Sequence, residues 1–229
     1  MKKDVLVTAD GSHTIAIPEM GVTYHSSHGA IQESMHVFIK SGLHYFLEHI
    51  KEPGAISIFE MGFGTGLNTL LTLSEAEKNQ HRIYYETIEP YPLEAPTFKL
   101  LNYCEALKRP DLKELFAQMH ECAWNTTVAI TPHFSFKKIN TSLPDYTADK
   151  SFNIIYFDAF APDIQPDLWT AAIFKKLYNS MQENAVLTTY CSKSIVRKAM
   201  AEAGLKVEKI TGPPHKREIV RAMKLPALF

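Results

Sequence analysis

The sequence predicts an α/β fold, a mostly parallel sheet with helices on both faces and a small β-ribbon extension at the N-terminus. Three observations carry this. From residue 55 onward, apolar runs rich in β-branched and aromatic residues alternate with helical stretches. Three glycines, Gly62, Gly64 and Gly66, stand between the first such run and the first such helix. The first fifty residues differ in texture, with short β-rich runs punctuated by Asp10, Gly11 and Gly21.

With 229 residues, 45% of them hydrophobic, the chain can bury one sizeable core, and residues 1–50 read as an extension of a unit over residues 51–229. A formal net charge of −1 excludes a uniformly basic nucleic-acid coat but is silent on a local basic patch. Cys104, Cys122 and Cys191 are widely spaced and suggest neither a disulfide framework nor a thiolate zinc site. A reducing cytoplasm fits that usage, and no run of about 18 apolar residues predicts a membrane span. The ten histidines include no H-E-x-x-H pattern, so no metal is expected.

In order along the chain, residues 5–7, 14–17 and 22–24 read as an antiparallel ribbon, followed by a helix over about 35–50. Strands are predicted at 55–59, 83–88, 152–157, 185–190 and 205–210. Helices are predicted near 67–78, 93–103, 112–120, 166–181 and 193–203, the last with Ser192 as N-cap and Gly204 as its stop. Ligands of such sheets bind at the carboxyl ends of the strands.

The glycine loop lies at one of those ends. A phosphate loop would continue Gly-Lys-Ser/Thr, and the dinucleotide pattern spaces its third glycine one residue later than Gly66. Glu60, at the end of the first strand, would repel a pyrophosphate and welcome a cationic amino or sulfonium group. Glu60, Gly62, Phe63, Gly64, Thr65, Gly66 and Asn68 are therefore read as a cradle for S-adenosylmethionine. Glu89, closing the second strand before Pro90, is placed to accept hydrogen bonds from ribose hydroxyls. The apolar run 152–157 delivers Asp158 to the next strand end, facing the transferable methyl. A tight turn, an exposed acid and a helix-capping Asp are the plain structural readings of these three features.

Asp158-Ala159-Phe160-Ala161-Pro162, followed by Leu168-Trp169-Thr170, resembles the signature of the MnmC-type methyltransferases, which complete 5-methylaminomethyl-2-thiouridine at the tRNA wobble position. Residues 60–68, 88–93, 33–38 and 212–218 agree, so the resemblance spans nearly the whole chain. It implies a Rossmann-like S-adenosylmethionine-dependent methyltransferase fold and a catalytic Asp158. It also implies cofactor contacts from Tyr24 and Ser26, and substrate contacts from Phe160, Ala161, Pro162, Glu33, Lys216 and Arg217. In that family the methyltransferase is often fused to a flavin-dependent oxidase; the chain resembles the stand-alone, MnmD-type form, and a monomer acting on the tRNA anticodon loop is expected. Two departures stand out: Asn140 takes the place of the family's Gly-Asp near the adenine, and Pro214-His215-Lys216-Arg217-Glu218 replaces Gly-Arg-Lys-Arg-Glu.

A primary alkylamine has a reference pKa of roughly 10 and an aspartate one near 4, so Asp158 is read as orienting the amine and stabilising its developing charge. Phe160, and less so Trp169 and Tyr190, could wall the flipped base. Lys193, Arg197, Lys198, Lys216, Arg217 and Arg221 could meet phosphates. The rivals are an aminopropyltransferase or small-molecule amine methyltransferase on the same fold, and a binding module without turnover.

Overall fold

The computed structural model describes residues 2–50 and 54–226. The expected boundary between residues 50 and 51 adjoins residues 51–53, which lie outside the described residues. The ribbon consists of β1 (Asp4–Val7), β2 (His13–Ile17) and β3 (Val22–Thr23), antiparallel in that order. Asp10 ties it to the following helix, because Oδ2 accepts the Gln32 amide at 2.9 Å. That helical run starts five residues earlier than its periodicity suggests. It comprises α1 (Ala30–Ser34), a π-helical segment (Met35–His44) and α2 (Tyr45–His49).

The main sheet has eight strands: β4 (Ile56–Met61), β5 (Ile83–Ile88), β6 (Thr127–Thr131), β7 (Phe134–Ile139), β8 (Phe152–Phe157), β9 (Met181–Thr189), β10 (Lys206–Thr211) and β11 (Glu218–Met223). Their order is β10-β11-β9-β8-β4-β5-β7-β6. Pairings β5–β7, β4–β5, β4–β8 and β8–β9 are parallel, and the pairings of β11 and β6 are antiparallel. The chain steps one way from β4 to β5 and the other way to β8, so the carboxyl ends of β4 and β8 flank a topological switch point.

Strand alternation sends Ile56 and Ile58 to one core, shared with Phe38, Leu70 of α3 (Leu67–Asn79) and Phe116 of α6 (Lys113–Glu121). Phe59 and Met61 join the other core, beneath α7 (Ala171–Asn179) and α8 (Ser194–Glu202). The sheet is thus covered on both faces, as expected.

Four local expectations are corrected. Residues 93–103 are not one helix: a single turn, α4 (Ala95–Phe98), carries Pro96 in its first turn, and a second, α5 (Tyr103–Ala106), starts after a break. Residues 166–181 split into a 3-10 turn at Pro166–Trp169, then α7 capped by Thr170, whose Oγ1 accepts the Ile173 amide, and then β9 from Met181. Ser192 is not an N-cap; Lys193 precedes α8 without a side-chain cap. Strands β6, β7 and β11 lie where no strand is predicted.

Candidate active site

A cavity of about 1060 Å³ opens at the switch point, lined by Gly62, Phe63, Gly64, Thr65 and Asn68 from the glycine loop, Glu89 and Pro90 after β5, and Asp158, Phe160 and Ala161 after β8. Tyr24, Ser26 and Glu33 close it from the N-terminal segment, and Lys216 from the loop before β11.

The main chain itself shapes the glycine loop. Gly62 has φ +92°, and a Cβ there would stand 3.2 Å from the Asp158 carbonyl oxygen. At Gly64, φ +50°, a Cβ would stand 3.1 Å from the Tyr24 ring. Both positions require glycine, one for the close approach of two strand ends and the other to leave room beneath Tyr24. Glu89 locks the loop: its Oε2 accepts the Gly64 amide at 2.9 Å and its Oε1 the Tyr91 amide at 2.8 Å. Burial raises its pKa, and these two backbone donors oppose the rise. Each oxygen keeps a lone pair for a further donor.

Asp158 receives Asn68 Nδ2–H on Oδ2 at 2.9 Å. Burial pushes its carboxyl up to about 7; the Glu33 charge adds to this, while Asn68 and Lys216 oppose it. Beside it, Glu33 accepts the Ser26 amide on Oε2 at 3.0 Å and Lys216 Nζ on Oε1 at 2.9 Å. Lys216 Nζ lies 4.5 Å from the centre of the Tyr190 ring. The Tyr190 hydroxyl donates to the Ala159 carbonyl at 2.9 Å. The Phe160 ring meets Tyr24 edge-on at 5.4 Å. Trp169 is only 4% exposed, and its Nε1–H donates to the Phe160 carbonyl at 2.9 Å, so it shapes this loop from the core without reaching the cavity.

Several expected contacts are not brought to the cavity wall. Glu60 is fully buried, because alternation along β4 turns it under α3, where Oε2 accepts Thr69 Oγ1–H at 3.1 Å. Desolvation raises its pKa to about 8. Gly66 sits behind the loop at the start of α3. Asn140 is exposed and gives Nδ2–H to the Glu89 carbonyl at 2.8 Å, supporting the strand end from outside. Pro162 and Arg217 do not line the cavity, and Arg217 is exposed. Half of the expected basic surface is paired: Lys193 with Asp163, Arg221 with Glu208 and Lys216 with Glu33. Lys3, His25 and Gln165 line the cavity without a signal in the sequence, and Tyr91 lines it from the run 88–93, which carries part of the resemblance but no assigned contact. Gln165 acts locally, its Oε1 accepting the Phe160 amide at 3.0 Å. Among the described residues, no group of three or more His, Cys, Asp or Glu side chains could hold a metal ion.

Residues 107–225 match a family described as S-adenosyl-L-methionine-dependent methyltransferases. The chain belongs to that family. It is 30% identical over 240 residues to the tRNA 5-methylaminomethyl-2-thiouridine biosynthesis bifunctional protein MnmC of Burkholderia pseudomallei, across 90% of this chain and 34% of that protein. It is 28% identical over 209 residues to the MnmC of Paraburkholderia xenovorans, across 86% and 31%. The chain therefore spans about a third of the length of these curated relatives. The crystal structure of MnmC2 from Aquifex aeolicus superposes with a TM-score of 0.76 at 25% identity, covering 100% of this chain and 73% of that one. Spermidine synthase from Thermotoga maritima shares the fold, with a TM-score of 0.59 at 13% identity.

The cavity suits the family's cofactor on its own terms. The glycine loop presents bare main chain, and the Glu89 carboxylate faces the cavity with acceptor capacity to spare. The protein is an S-adenosylmethionine-dependent methyltransferase. No helix among the described residues is long and apolar enough to cross a membrane.

Proposed function

We propose that this methyltransferase acts on tRNA, methylating the primary amine of a 5-aminomethyl-2-thiouridine at the anticodon wobble position in the cytoplasm. The observation that carries the reading is Asp158, a carboxylate poised near neutrality at the end of β8, beside the glycine loop and within one cavity with Glu33 and Tyr190. Two acids and an aromatic face suit a cationic amine better than a neutral or anionic acceptor. The relatives' printed names supply the nucleoside.

Gly62, Phe63, Gly64, Thr65 and Asn68 would hold the methionine part of the cofactor and Glu89 its ribose, with Tyr24 and Ser26 folded over it. When bound, the cofactor supplies an electrophilic methyl group. Asp158 accepts a hydrogen bond from the amine, fixes its lone pair in line, and offsets the charge that develops on nitrogen. Its raised pKa narrows the gap to an alkylammonium from roughly six units to about three, which makes it a better transient proton acceptor than a solvated aspartate. Phe160, braced edge-on by Tyr24, offers its ring as a wall for the splayed base, whose extrusion from a single-stranded loop costs less than from a duplex. Ribbon residues line the same cavity as the glycine loop, so we treat the extension as part of the catalytic unit.

The test is incubation with methyl-labelled cofactor and either tRNA carrying the aminomethyl group or putrescine. Label in the wobble uridine supports the reading; label in putrescine alone overturns it.

A further inference from the structure

Lys216 is itself a primary alkylammonium on a flexible arm, and it sits in the cavity that the proposed function assigns to one. Its Nζ meets the Glu33 carboxylate at 2.9 Å, in a pair whose side chains are 33% and 14% exposed. It lies 4.5 Å from the centre of the Tyr190 ring, within cation–π range. The Asp158 carboxyl is close enough for Lys216 to oppose the rise in its pKa, and Glu33 to reinforce it. Glu33 and Tyr190 thus hold one positive charge directly, and Asp158 lines the same cavity. The Tyr190 hydroxyl, committed to the Ala159 carbonyl, leaves only the ring face for that charge.

Without the lysine, two carboxylates would share a partly desolvated pocket with no counter-ion. The substrate arm brings the same group, an ammonium at the end of a short alkyl chain, and would compete with Lys216 for the Glu33 carboxylate and the Tyr190 ring face. We propose that Asp158, Glu33 and Tyr190 form the alkylammonium subsite, and that Lys216 is a stand-in cation which occupies it until the substrate amine displaces it. The inference rests on the reading of Asp158 as the amine-binding acid. Lys216 would then act as a specificity device: a ligand lacking a cation gains nothing by entering, because it must expel one and leave the two acids unpaired.

This assigns Lys216 an effect opposite in sign to that of a phosphate contact. Lys216→Met keeps the length and apolar stem of the side chain and removes the charge. With an anticodon stem-loop bearing the aminomethyl group, KM is expected to fall by about threefold or more, with the salt dependence of KM unchanged. The acidic limb of the pH–rate profile is expected to move upward, since Asp158 loses a neighbouring cation. A second readout needs neither RNA nor turnover: titration with ethylammonium, followed by NMR of selectively labelled Tyr190, is expected to show tighter binding to Lys216→Met than to wild type. Glu33→Gln in the Lys216→Met background removes the second acid and is expected to abolish that gain.

A KM that rises, together with a salt slope reduced by about one, would make Lys216 a phosphate contact and overturn the inference. Ethylammonium binding that is equal in the two proteins would overturn it as well. If wild type fails to methylate the stem-loop while Lys216→Met still binds ethylammonium more tightly, the tRNA reading falls and the subsite stands.

Discussion

Replacing Asp158 by Asn should stabilise the ligand-free protein while abolishing its chemistry, and the size of the effect follows from the carboxyl's environment. Burial raises the folded pKa of Asp158 from 3.8 to about 7. Below about pH 4 both folded and unfolded chains hold the proton, and the group contributes no penalty. Between about pH 4 and 7 the unfolded chain ionises while the folded one does not, so stability is lost at about 1.4 kcal/mol per pH unit. Above about pH 7 the penalty is constant at about 4 kcal/mol, which is an upper figure because the side chain is partly solvated. The Asn amide oxygen can still accept Asn68 Nδ2–H, so the substitution removes the charge and keeps the contact. Urea unfolding of both proteins at about pH 5 and pH 8 should show the advantage of the variant growing by about 3 kcal/mol between the two. An advantage independent of pH, or a less stable variant at pH 8, would refute the assigned environment of Asp158.

Other outcomes follow from the same geometry. Glu89→Gln keeps at most one of the two backbone amides as a donor partner and loses the charge facing the cavity, so cofactor Kd by calorimetry should rise about 10- to 100-fold. Gly62→Ala places a Cβ at φ +92° and 3.2 Å from the Asp158 carbonyl, and should cost about 1–3 kcal/mol in denaturant unfolding together with a drop in kcat. Trp169→Phe removes the hydrogen bond to the Phe160 carbonyl and should cost about 1 kcal/mol or more, with a rise in KM for RNA and little change in cofactor affinity. Glu60→Gln replaces a buried acid whose pKa stands at about 8, so the wild type loses stability relative to the variant as pH rises from about 4.5 to 8; thermal melts across that range check the direction.

What the sequence disclosed and what it hid have physical causes. Strands β4 and β8 were legible because each is a nearly unbroken apolar run, buried on both faces and ended by a glycine or an acid. Those two strands alone place the glycine loop beside Asp158. The edge strand β6 was not legible: it is half exposed, and its apolar face consists of Val128 and Ile130 alone. Strand β11 follows a basic run and is recognisable only once β9 and β10 stand on either side. Glu60 shows a further limit. Its position at a strand end suggests a ligand contact, whereas the two-residue period of β4, with Ile56 and Ile58 on the same face, turns it inward. The pairing of Lys216 with Glu33 joins residues 183 positions apart, a contact that no local pattern could encode.

The most direct measurement of the central claim is nucleoside mass spectrometry of tRNA bearing 5-aminomethyl-2-thiouridine after incubation with S-adenosylmethionine and either the wild-type protein or Asp158→Ala. The account predicts conversion to 5-methylaminomethyl-2-thiouridine by the wild type, and none by the variant although its cofactor affinity largely survives. An unchanged nucleoside with wild type, or full conversion by Asp158→Ala, would contradict it.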